Sequence, residues 1–200
     1  SGMFWLVVAM ARPQFGTVVE SIRREGSDLV IALDVSKSML AQDMKPNRLV
    51  KAKSEIQSLL ARLHGNRVGL VVFAGSAFLQ CPLTTDYRAM EVFLDAVDTD
   101  SVSRHGTDLG EAIRTGLKAF EDRSGNFRAI ALITDGEDNE GKGAEAAKEA
   151  ATAGVRIFTI GVGSTAGEPV PVGGQTGEGG YKKSKAGEIV LSRLDAAGLA

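Results

Sequence analysis

The sequence predicts an α/β fold: a doubly wound, mostly parallel sheet with one antiparallel edge strand and helices on both faces. The first observation is a set of short apolar runs without polar alternation, which is typical of parallel strands buried on both faces. The second is that segments with helical apolar spacing separate most of these runs. The runs are LVIAL (29–33), VGLVVF (68–73), AIALIT (129–134) and VRIFTIGV (155–162).

The antiparallel strand is predicted from a hairpin signal. The stretch VGLVVFAGSAFLQC, residues 68–81, contains a Gly-Ser pair between two apolar runs. A short glycine-containing turn of this kind predicts a tight hairpin, whose second strand runs antiparallel to the first. The predicted order of elements along the chain is therefore βαββααβαβ.

The helices are predicted from their apolar spacing and from the residues at their ends. Pro46 is expected at the first position of the first helix, where proline needs no hydrogen-bond donor, and Gly65 is expected to end that helix. The second helix is predicted to begin near Thr85 or Asp86. The fourth, GAEAAKEAATAG (143–154), is rich in alanine and stops at its final glycine.

The third helix is predicted to begin at Thr107–Asp108, because Glu111 stands three residues after Asp108 as in a capping box. Two roles are open to the hydroxyl of Thr107. It either caps this helix or turns towards a bound metal ion.

The chain is predicted to divide into an N-terminal segment, residues 1–27, and a single domain over residues 28–200. The apolar run MFWLVVAMA (3–11) is about half as long as the roughly 20 residues of a membrane-spanning helix. We expect either the end of a truncated membrane helix or a short element packed on the domain, followed by a weak edge strand at 17–25. Residues 163–188 are rich in glycine and are predicted to form a long hairpin or loop, and the domain is expected to be truncated at its C-terminus.

The composition limits the classes of function. With 23 Lys and Arg against 25 Asp and Glu, the net charge is −2, which gives no indication of a nucleic-acid partner. The single cysteine, Cys81, cannot form an intrachain disulfide.

Two aspartates follow predicted strands and are the first candidate site residues. Asp34 ends the run LVIAL and Asp135 ends AIALIT. Ligands of open α/β sheets bind beyond the carboxyl ends of the strands, and neighbouring strands lie only about 4.8 Å apart. Two carboxylates that close repel each other unless a positive charge lies between them. The pair therefore predicts a cation site.

Ser36 and Ser38 extend this candidate site. Alternate residues of an extended turn point the same way, so both hydroxyls are expected to face the same point as the carboxylate of Asp34. Carboxylate and hydroxyl oxygens suit Mg²⁺, whereas zinc favours His and Cys ligands. The chain has only two His and one Cys.

At these positions the sequence resembles the von Willebrand factor type A (VWA) domain, a family with a Rossmann-like fold. Its metal-ion-dependent adhesion site (MIDAS) has the pattern D-x-S-x-S, then a threonine before a helix, then an aspartate closing a later strand. The resemblance covers roughly residues 28–163 and implies that a bound Mg²⁺, or Mn²⁺ or Ca²⁺, accepts an acidic side chain from a protein partner. The implied metal ligands are Asp34, Ser36, Ser38, Thr107 and Asp135.

A narrower resemblance is to the bacterial membrane-anchored aerotolerance (Bat-type) proteins. It rests on ARPQ after an apolar run and on DLVIALDVSKSM, NRLVKAK, NRVGLVVFAG, GTDLGEAI and ITDGEDNEG. The resemblance implies a protein anchored in the bacterial inner membrane by flanking helices absent from this chain, with the domain in the periplasm. It also implies partners among other proteins of the aerotolerance operon or a MoxR-type AAA+ ATPase system.

Further residues near the site are candidates for a supporting role. For His105 the alternative is an ordinary loop position, and for the acidic residues after Asp135 it is a solvated acidic loop. The candidates are His105, Asp108, Glu137 and Asp138.

The site is predicted to bind rather than to catalyse, because no nucleophile, base or oxyanion hole accompanies it in the sequence. One alternative is a Mg²⁺-dependent phosphotransferase or phosphatase with Asp34 as nucleophile. Such enzymes are expected to carry a second carboxylate two residues after the nucleophile, but Ser36 occupies that position here. A scaffold with an inactive metal site is a further alternative.

Overall fold

A five-stranded sheet forms the centre of the protein. It consists of β1 (Ser27–Asp34), β2 (Arg67–Phe73), β3 (Ala77–Thr84), β4 (Phe127–Thr134) and β5 (Val155–Gly161). The strands lie in the order β3-β2-β1-β4-β5, and β3 is antiparallel to β2 while the other pairs are parallel. The predicted sheet is thereby confirmed. The structure, a computed structural model, describes residues 26–120, 127–138, 141–172, 180–183 and 188–195.

Four α-helices in the described part of the chain pack on the two faces of this sheet. They are α1 (Arg48–Leu60), α2 (Tyr87–Asp95), α3 (Leu109–Ala119) and α4 (Gly143–Thr152). The prediction that Pro46 opens the first helix is wrong, because Asn47 caps α1. The Asn47 side chain accepts a hydrogen bond from the Val50 N–H at 2.8 Å, so the helix begins at Arg48, two residues after Pro46.

β1 is buried on both faces, which explains its continuous apolar run. Ile31 and Leu33 point into one core, which also contains residues of α1 and α2. Val30 and Ala32 point into the other, with residues of α3 and α4. Because both layers hold this strand, the position of Asp34 at its carboxyl end is fixed by the two cores together.

Beyond β5 the chain forms a small antiparallel ribbon. It contains the short strands β6 (Glu168–Pro169) and β7 (Leu191–Ser192). Backbone hydrogen bonds continue the pairing, since the Lys182 N–H donates to the Val170 carbonyl and the Val190 N–H to the Lys182 carbonyl, both at 2.8 Å. We call the segments 168–172, 180–183 and 188–192 the C-terminal ribbon.

Some predictions fall on other parts of the chain. The apolar run 3–11 and the edge strand at 17–25 lie outside the described residues, as do residues 173–179 and 184–187 of the hairpin or loop predicted at 163–188. Within the described residues, no helix has both the length and the apolar character needed to span a membrane.

Candidate metal centre

The two predicted carboxylates meet at one edge of the sheet. β1 and β4 are hydrogen-bonded neighbours, with Leu33 opposite Ile133, so Asp34 and Asp135 follow at adjoining strand ends. Both side chains are 0% exposed. The sequence-based expectation that they share one crevice therefore agrees with the geometry of the sheet.

Asp34 accepts hydrogen bonds from neutral donors. The Ser36 backbone N–H donates to its Oδ1 at 2.8 Å, and the Thr134 hydroxyl donates to its Oδ2 at 2.6 Å. Burial and then the charge of Asp135 raise the pKa of Asp34 to about 7, because the hydrogen bonds that stabilise the ionised carboxyl offset only part of the increase. The site therefore carries an unfavourable concentration of negative charge.

The two serine hydroxyls lie together beside Asp34. Ser36 Oγ and Ser38 Oγ are 2.9 Å apart, and both side chains are largely buried. The expected extended turn is wrong in part: Ser36 is extended, but Ser38 belongs to a short 3₁₀ helix, Lys37–Leu40. The turn of this helix brings the two hydroxyls together. It directs the Lys37 side chain away from them, and its ammonium group donates to Thr99 and Asp100.

Thr107 faces the same cavity as the serines, and its neighbour Asp108 caps the helix that follows. The carboxylate of Asp108 accepts a hydrogen bond from the Glu111 N–H at 2.8 Å and so caps α3. Thr107 is 2% exposed and lines the cavity with Ser36 and Ser38. Of the two roles left open by the sequence, capping thus belongs to Asp108.

The loop before Thr107 is held by close backbone packing on the β2–β3 turn. The Gly75 N–H donates to the Arg104 carbonyl at 3.0 Å, and the Asp108 N–H donates to the Ala74 carbonyl at 2.8 Å. A Cβ atom at Gly75 would lie 2.3 Å from the carbonyl oxygen of His105. Glycine at this position is therefore needed for the loop to approach.

The remaining predicted rim residues differ in their surroundings. His105 is exposed and lines the cavity, as does Glu137, whose pKa is raised by burial and then by the charge of Asp135. Asp138 accepts a hydrogen bond from the Gly143 N–H at 3.1 Å, at the start of α4. Its other oxygen, Oδ1, is buried and has no hydrogen-bond partner among the residues that the structure describes.

A buried arginine, which the sequence analysis missed, supports Asp135. Arg48 is 0% exposed, and its Nη1 donates to Asp135 Oδ2 at 3.1 Å and to Ser192 Oγ at 2.7 Å. The Ser192 hydroxyl also lies 3.2 Å from Asp135 Oδ2. Arg48 therefore connects the second carboxylate of the site to the C-terminal ribbon.

Asp43 balances the remaining side of this guanidinium. It accepts from Arg48 Nε at 2.8 Å and from Nη2 at 2.7 Å, and it accepts from the Ser164 N–H at 2.6 Å. Burial alone would raise the pKa of Asp43, but the hydrogen bonds from Arg48 and Ser164 outweigh it and lower the pKa. A signal for this network exists in the sequence, since a cation in the first turn of a helix opposes the helix dipole and needs acidic partners.

The side chains present fit a hard divalent cation. Two carboxylates and three hydroxyls offer oxygen atoms, which Mg²⁺, Mn²⁺ and Ca²⁺ prefer. Over the residues that the structure describes, no group of three or more His, Cys, Asp or Glu side chains is placed to hold a metal ion. A cation at this site would therefore depend on the hydroxyls of Ser36, Ser38 and Thr107 as well as on the carboxylates.

Two solved structures resemble most of the chain. The conserved hypothetical protein BatB of Bacteroides thetaiotaomicron is 42% identical, with a TM-score of 0.82, over 87% of this chain and 83% of that one. An aerotolerance-related membrane protein of Bacteroides fragilis is 38% identical, also with a TM-score of 0.82, over 87% and 85% of the two chains. The predicted resemblance to Bat-type proteins is thereby confirmed.

More distant matches show a shared domain. A protein of Nocardia farcinica is 30% identical over 202 residues, 92% of this chain and 58% of the relative, so the chain spans about half the length of such curated relatives. Manganese-loaded TRAP protein of Plasmodium vivax and a mussel byssus matrix protein with a zinc-occupied MIDAS motif are each 21% identical, with TM-scores of 0.57 and 0.58. These last two share the fold.

The sequence profile of the von Willebrand factor type A domain matches residues 29–137. The matched part is more than half of the chain, runs from β1 to the loop after β4, and contains all five predicted ligands. The strand order and the buried pair of carboxylates agree with what the sequence resemblance implies. The protein therefore belongs to the von Willebrand factor type A domain family.

Proposed function

We propose that this domain binds a partner protein through a divalent cation that accepts an acidic side chain of the partner. The cation is Mg²⁺, with Mn²⁺ or Ca²⁺ as alternatives. One observation carries the proposal: Asp34 and Asp135 are both fully buried side by side, and Asp34 is bonded to neutral donors. The proposed ligands are Asp34, Ser36, Ser38, Thr107 and Asp135.

The arrangement favours an incompletely saturated cation. Ser36, Ser38 and Thr107 line an open cavity, whereas the two carboxylates are buried behind that surface. A cation held between these groups would meet protein oxygens on one side and the cavity on the other. A position facing the cavity would take water or a carboxylate from a partner, which is the chemistry of an acidic-residue receptor.

The comparisons support a divalent cation without selecting one. Two proteins of the same fold carry manganese or zinc, the latter at a MIDAS motif. Because the donor set here consists of oxygen atoms, it favours Mg²⁺, Mn²⁺ or Ca²⁺ over zinc.

The phosphotransferase alternative is less favoured by the geometry. A nucleophilic aspartate must reach its substrate, but Asp34 is 0% exposed and each of its oxygens accepts a hydrogen bond. An assay with p-nitrophenyl phosphate and Mg²⁺ tests this alternative, and we expect no turnover above that of the Asp34→Ala variant.

For the full-length protein, we propose anchoring in the bacterial inner membrane with this domain in the periplasm. One similar protein is described as an aerotolerance-related membrane protein, which supports attachment to a membrane. Other aerotolerance proteins and a MoxR-type ATPase system are the proposed functional partners. A metal-dependent pull-down from membranes, with Ser36→Ala and Ser38→Ala as controls, tests the choice of partner.

The proposed chemistry is tested by two measurements on the isolated chain. Calorimetric titration gives the affinities for Mg²⁺, Mn²⁺ and Ca²⁺. With Mn²⁺ bound, the relaxation rate of water protons reports water on the cation, and we expect added acetate to lower that rate as a carboxylate replaces the water.

Serine variants provide the control. Ser36→Ala and Ser38→Ala should each weaken metal binding about tenfold or more, since each removes a polar contact to a charged group. Ser58→Ala is the matched variant, because its hydroxyl bonds to the Ser54 carbonyl on the exposed side of α1, and it should leave the affinity unchanged. Equal affinities for the wild type and Asp34→Ala would support the inactive scaffold instead.

A further inference from the structure

The C-terminal ribbon forms one side of the cavity at the predicted metal site. The cavity has a volume of about 430 Å³. Hydroxyl-bearing residues of the site line one part of it, and residues of the ribbon line another. The ribbon contributes Val170, Pro171, Val172, Lys182, Val190 and Ser192.

The ribbon is fixed to the metal site by several polar contacts. The Ser192 hydroxyl lies 3.2 Å from Asp135 Oδ2 and 2.7 Å from Arg48 Nη1. Directly after the ribbon, the Asp195 N–H donates to the Asp135 carbonyl at 2.9 Å and the Leu194 N–H to the Ser164 carbonyl at 3.1 Å. The ribbon surface therefore has a defined position relative to a ligand held at the cation.

The ribbon side of the cavity is mainly apolar. Val170 is 2% exposed and Val172 is 47% exposed, while Leu40 lines the cavity from the 3₁₀ helix. A carboxylate bound to a cation uses only oxygen contacts and fills a small part of such a space. The apolar surface is thus more than an acidic group alone requires, and it suits an aliphatic side chain.

One exposed cation of the ribbon complements an acidic ligand. Lys182 lines the same cavity as Ser36, Ser38 and Thr107, and its side chain is exposed. A cation on this wall attracts a carboxylate that enters the cavity. A partner that presents a carboxylate beside an apolar group would match both features.

We infer that the C-terminal ribbon selects partners in which the metal-binding acidic residue has an aliphatic side chain next to it. The inference rests on the proposed function, because the cation has to hold the partner's carboxylate before a neighbouring aliphatic group can contact the ribbon. The partner is thus an acidic peptide segment that places a branched aliphatic group against Val170, Val172 and Val190.

Small carboxylates test this without knowledge of the natural partner. We would titrate acetate and 4-methylpentanoate into the Mg²⁺-loaded chain and follow amide chemical shifts by NMR. Each buried CH₂ group contributes about 0.8 kcal/mol, or about fourfold in Kd, so 4-methylpentanoate should bind at least about tenfold more tightly than acetate. Both titrations are repeated in EDTA, where the shifts should disappear.

Val172→Thr places a hydroxyl on the ribbon with little change of shape, and its side chain is exposed enough for the fold to tolerate it. It should reduce the preference for 4-methylpentanoate at least about threefold and leave the acetate affinity unchanged. Val92→Thr, on the exposed side of α2 and outside the cavity, is the matched control and should change neither the preference nor the acetate affinity.

Equal affinities for the two carboxylates in the wild type would overturn the inference and leave the proposed function standing. Failure of both to bind in a Mg²⁺-dependent way would overturn the proposed function, and the inference with it.

Discussion

Asp34 and Asp135 occupy similar positions but have different partners. Each follows a buried strand at the same edge of the sheet, and each is fully buried. Asp34 accepts hydrogen bonds from a backbone N–H and a threonine hydroxyl, whereas Asp135 is bonded to the buried guanidinium of Arg48. In the described part of the chain, a cationic side chain therefore contacts Asp135 directly but does not contact Asp34.

The difference teaches which side of the site requires a cation. Burial and the charge of Asp135 raise the pKa of Asp34 to about 7, so a proton or a metal ion is needed there to offset the negative charge. The hydroxyls of Ser36 and Ser38 lie on that same side. Arg48 instead holds Asp135 in position and links it to the C-terminal ribbon.

The largest expected effect comes from removing the arginine on the Asp135 side. Arg48→Met would leave Asp43 and Asp135 buried without their common cation, and we expect a loss of about 3–5 kcal/mol in the free energy of unfolding. Urea unfolding measures it. Arg114→Met, which removes an arginine paired with Glu149 on the surface, is the matched control and should cost much less. Equal losses in Arg48→Met and Arg114→Met would show that the buried network adds no more stability than a surface ion pair.

The two carboxylates should respond in opposite directions to neutralisation. At pH 8 without metal, Asp34→Asn removes an unfavourable buried charge and should raise the free energy of unfolding by about 1–3 kcal/mol. Asp135→Asn removes the partner of Arg48 and should lower it by a similar amount. Both variants should lose measurable Mg²⁺ binding in calorimetry. A loss of stability in both would contradict the comparison.

The pH dependence of stability sharpens the same contrast. The folded-state pKa of Asp34, about 7, lies above its ordinary value of 3.8, so the folded protein binds more protons than the unfolded chain between these values. The free energy of unfolding of the metal-free domain should therefore fall as the pH rises from about 4 to 7. Saturating Mg²⁺ should reduce this fall, because the cation binds the ionised carboxyl.

Asp34→Asn is the control for that measurement, since other groups also titrate in this range. The raised pKa of Glu137, caused by burial and then by Asp135, acts in the same direction and stays in the variant. We expect a clearly flatter pH profile in Asp34→Asn. An unchanged slope would mean that Asp34 is not the group responsible.

The smallest expected effect concerns the loop that carries Thr107. In Gly75→Ala the new Cβ would meet the His105 carbonyl at 2.3 Å, so the loop must move and take Thr107 with it. We expect about tenfold weaker Mg²⁺ binding, corresponding to the loss of one polar contact to a charge. Gly26→Ala is a suitable control because its Cβ would meet nothing closer than 3.7 Å. Unchanged affinity in Gly75→Ala would argue against a role for Thr107.

Much of the sheet could be predicted because its inner strands β1, β2 and β4 are buried on two faces, and such burial requires continuous apolar runs. β5 also coincides with a predicted run, although it is the last strand in the sheet order and most of its residues are exposed. The start of α3, predicted at Thr107–Asp108 from a capping box, agrees with the cap by Asp108, and the start of α2, predicted near Thr85 or Asp86, agrees with the cap by Asp86. α1 begins two residues after Pro46 because Asn47 supplies its cap.

Arg48 and its partners could not be assembled from the sequence in the same way. Arg48 and Asp135 are 87 residues apart, and Arg48 and Ser192 are 144 apart. No local spacing rule connects such residues. The local signal that the sequence offers is the unfavourable position of a cation in the first turn of a helix, and it does not identify the partners of Arg48.

The sequence by itself determined the parts of this protein whose physics is local: the buried strands, the carboxylates that end them and the two serines that follow Asp34. The tertiary structure decided which charges are compensated and what faces the cavity. Arg48 reaches Asp135, and the C-terminal ribbon lies beside Ser36, Ser38 and Thr107, because packing of the sheet and helices brings distant segments together. Electrostatic and apolar contacts act through space, so their partners follow from the fold and not from the order of residues.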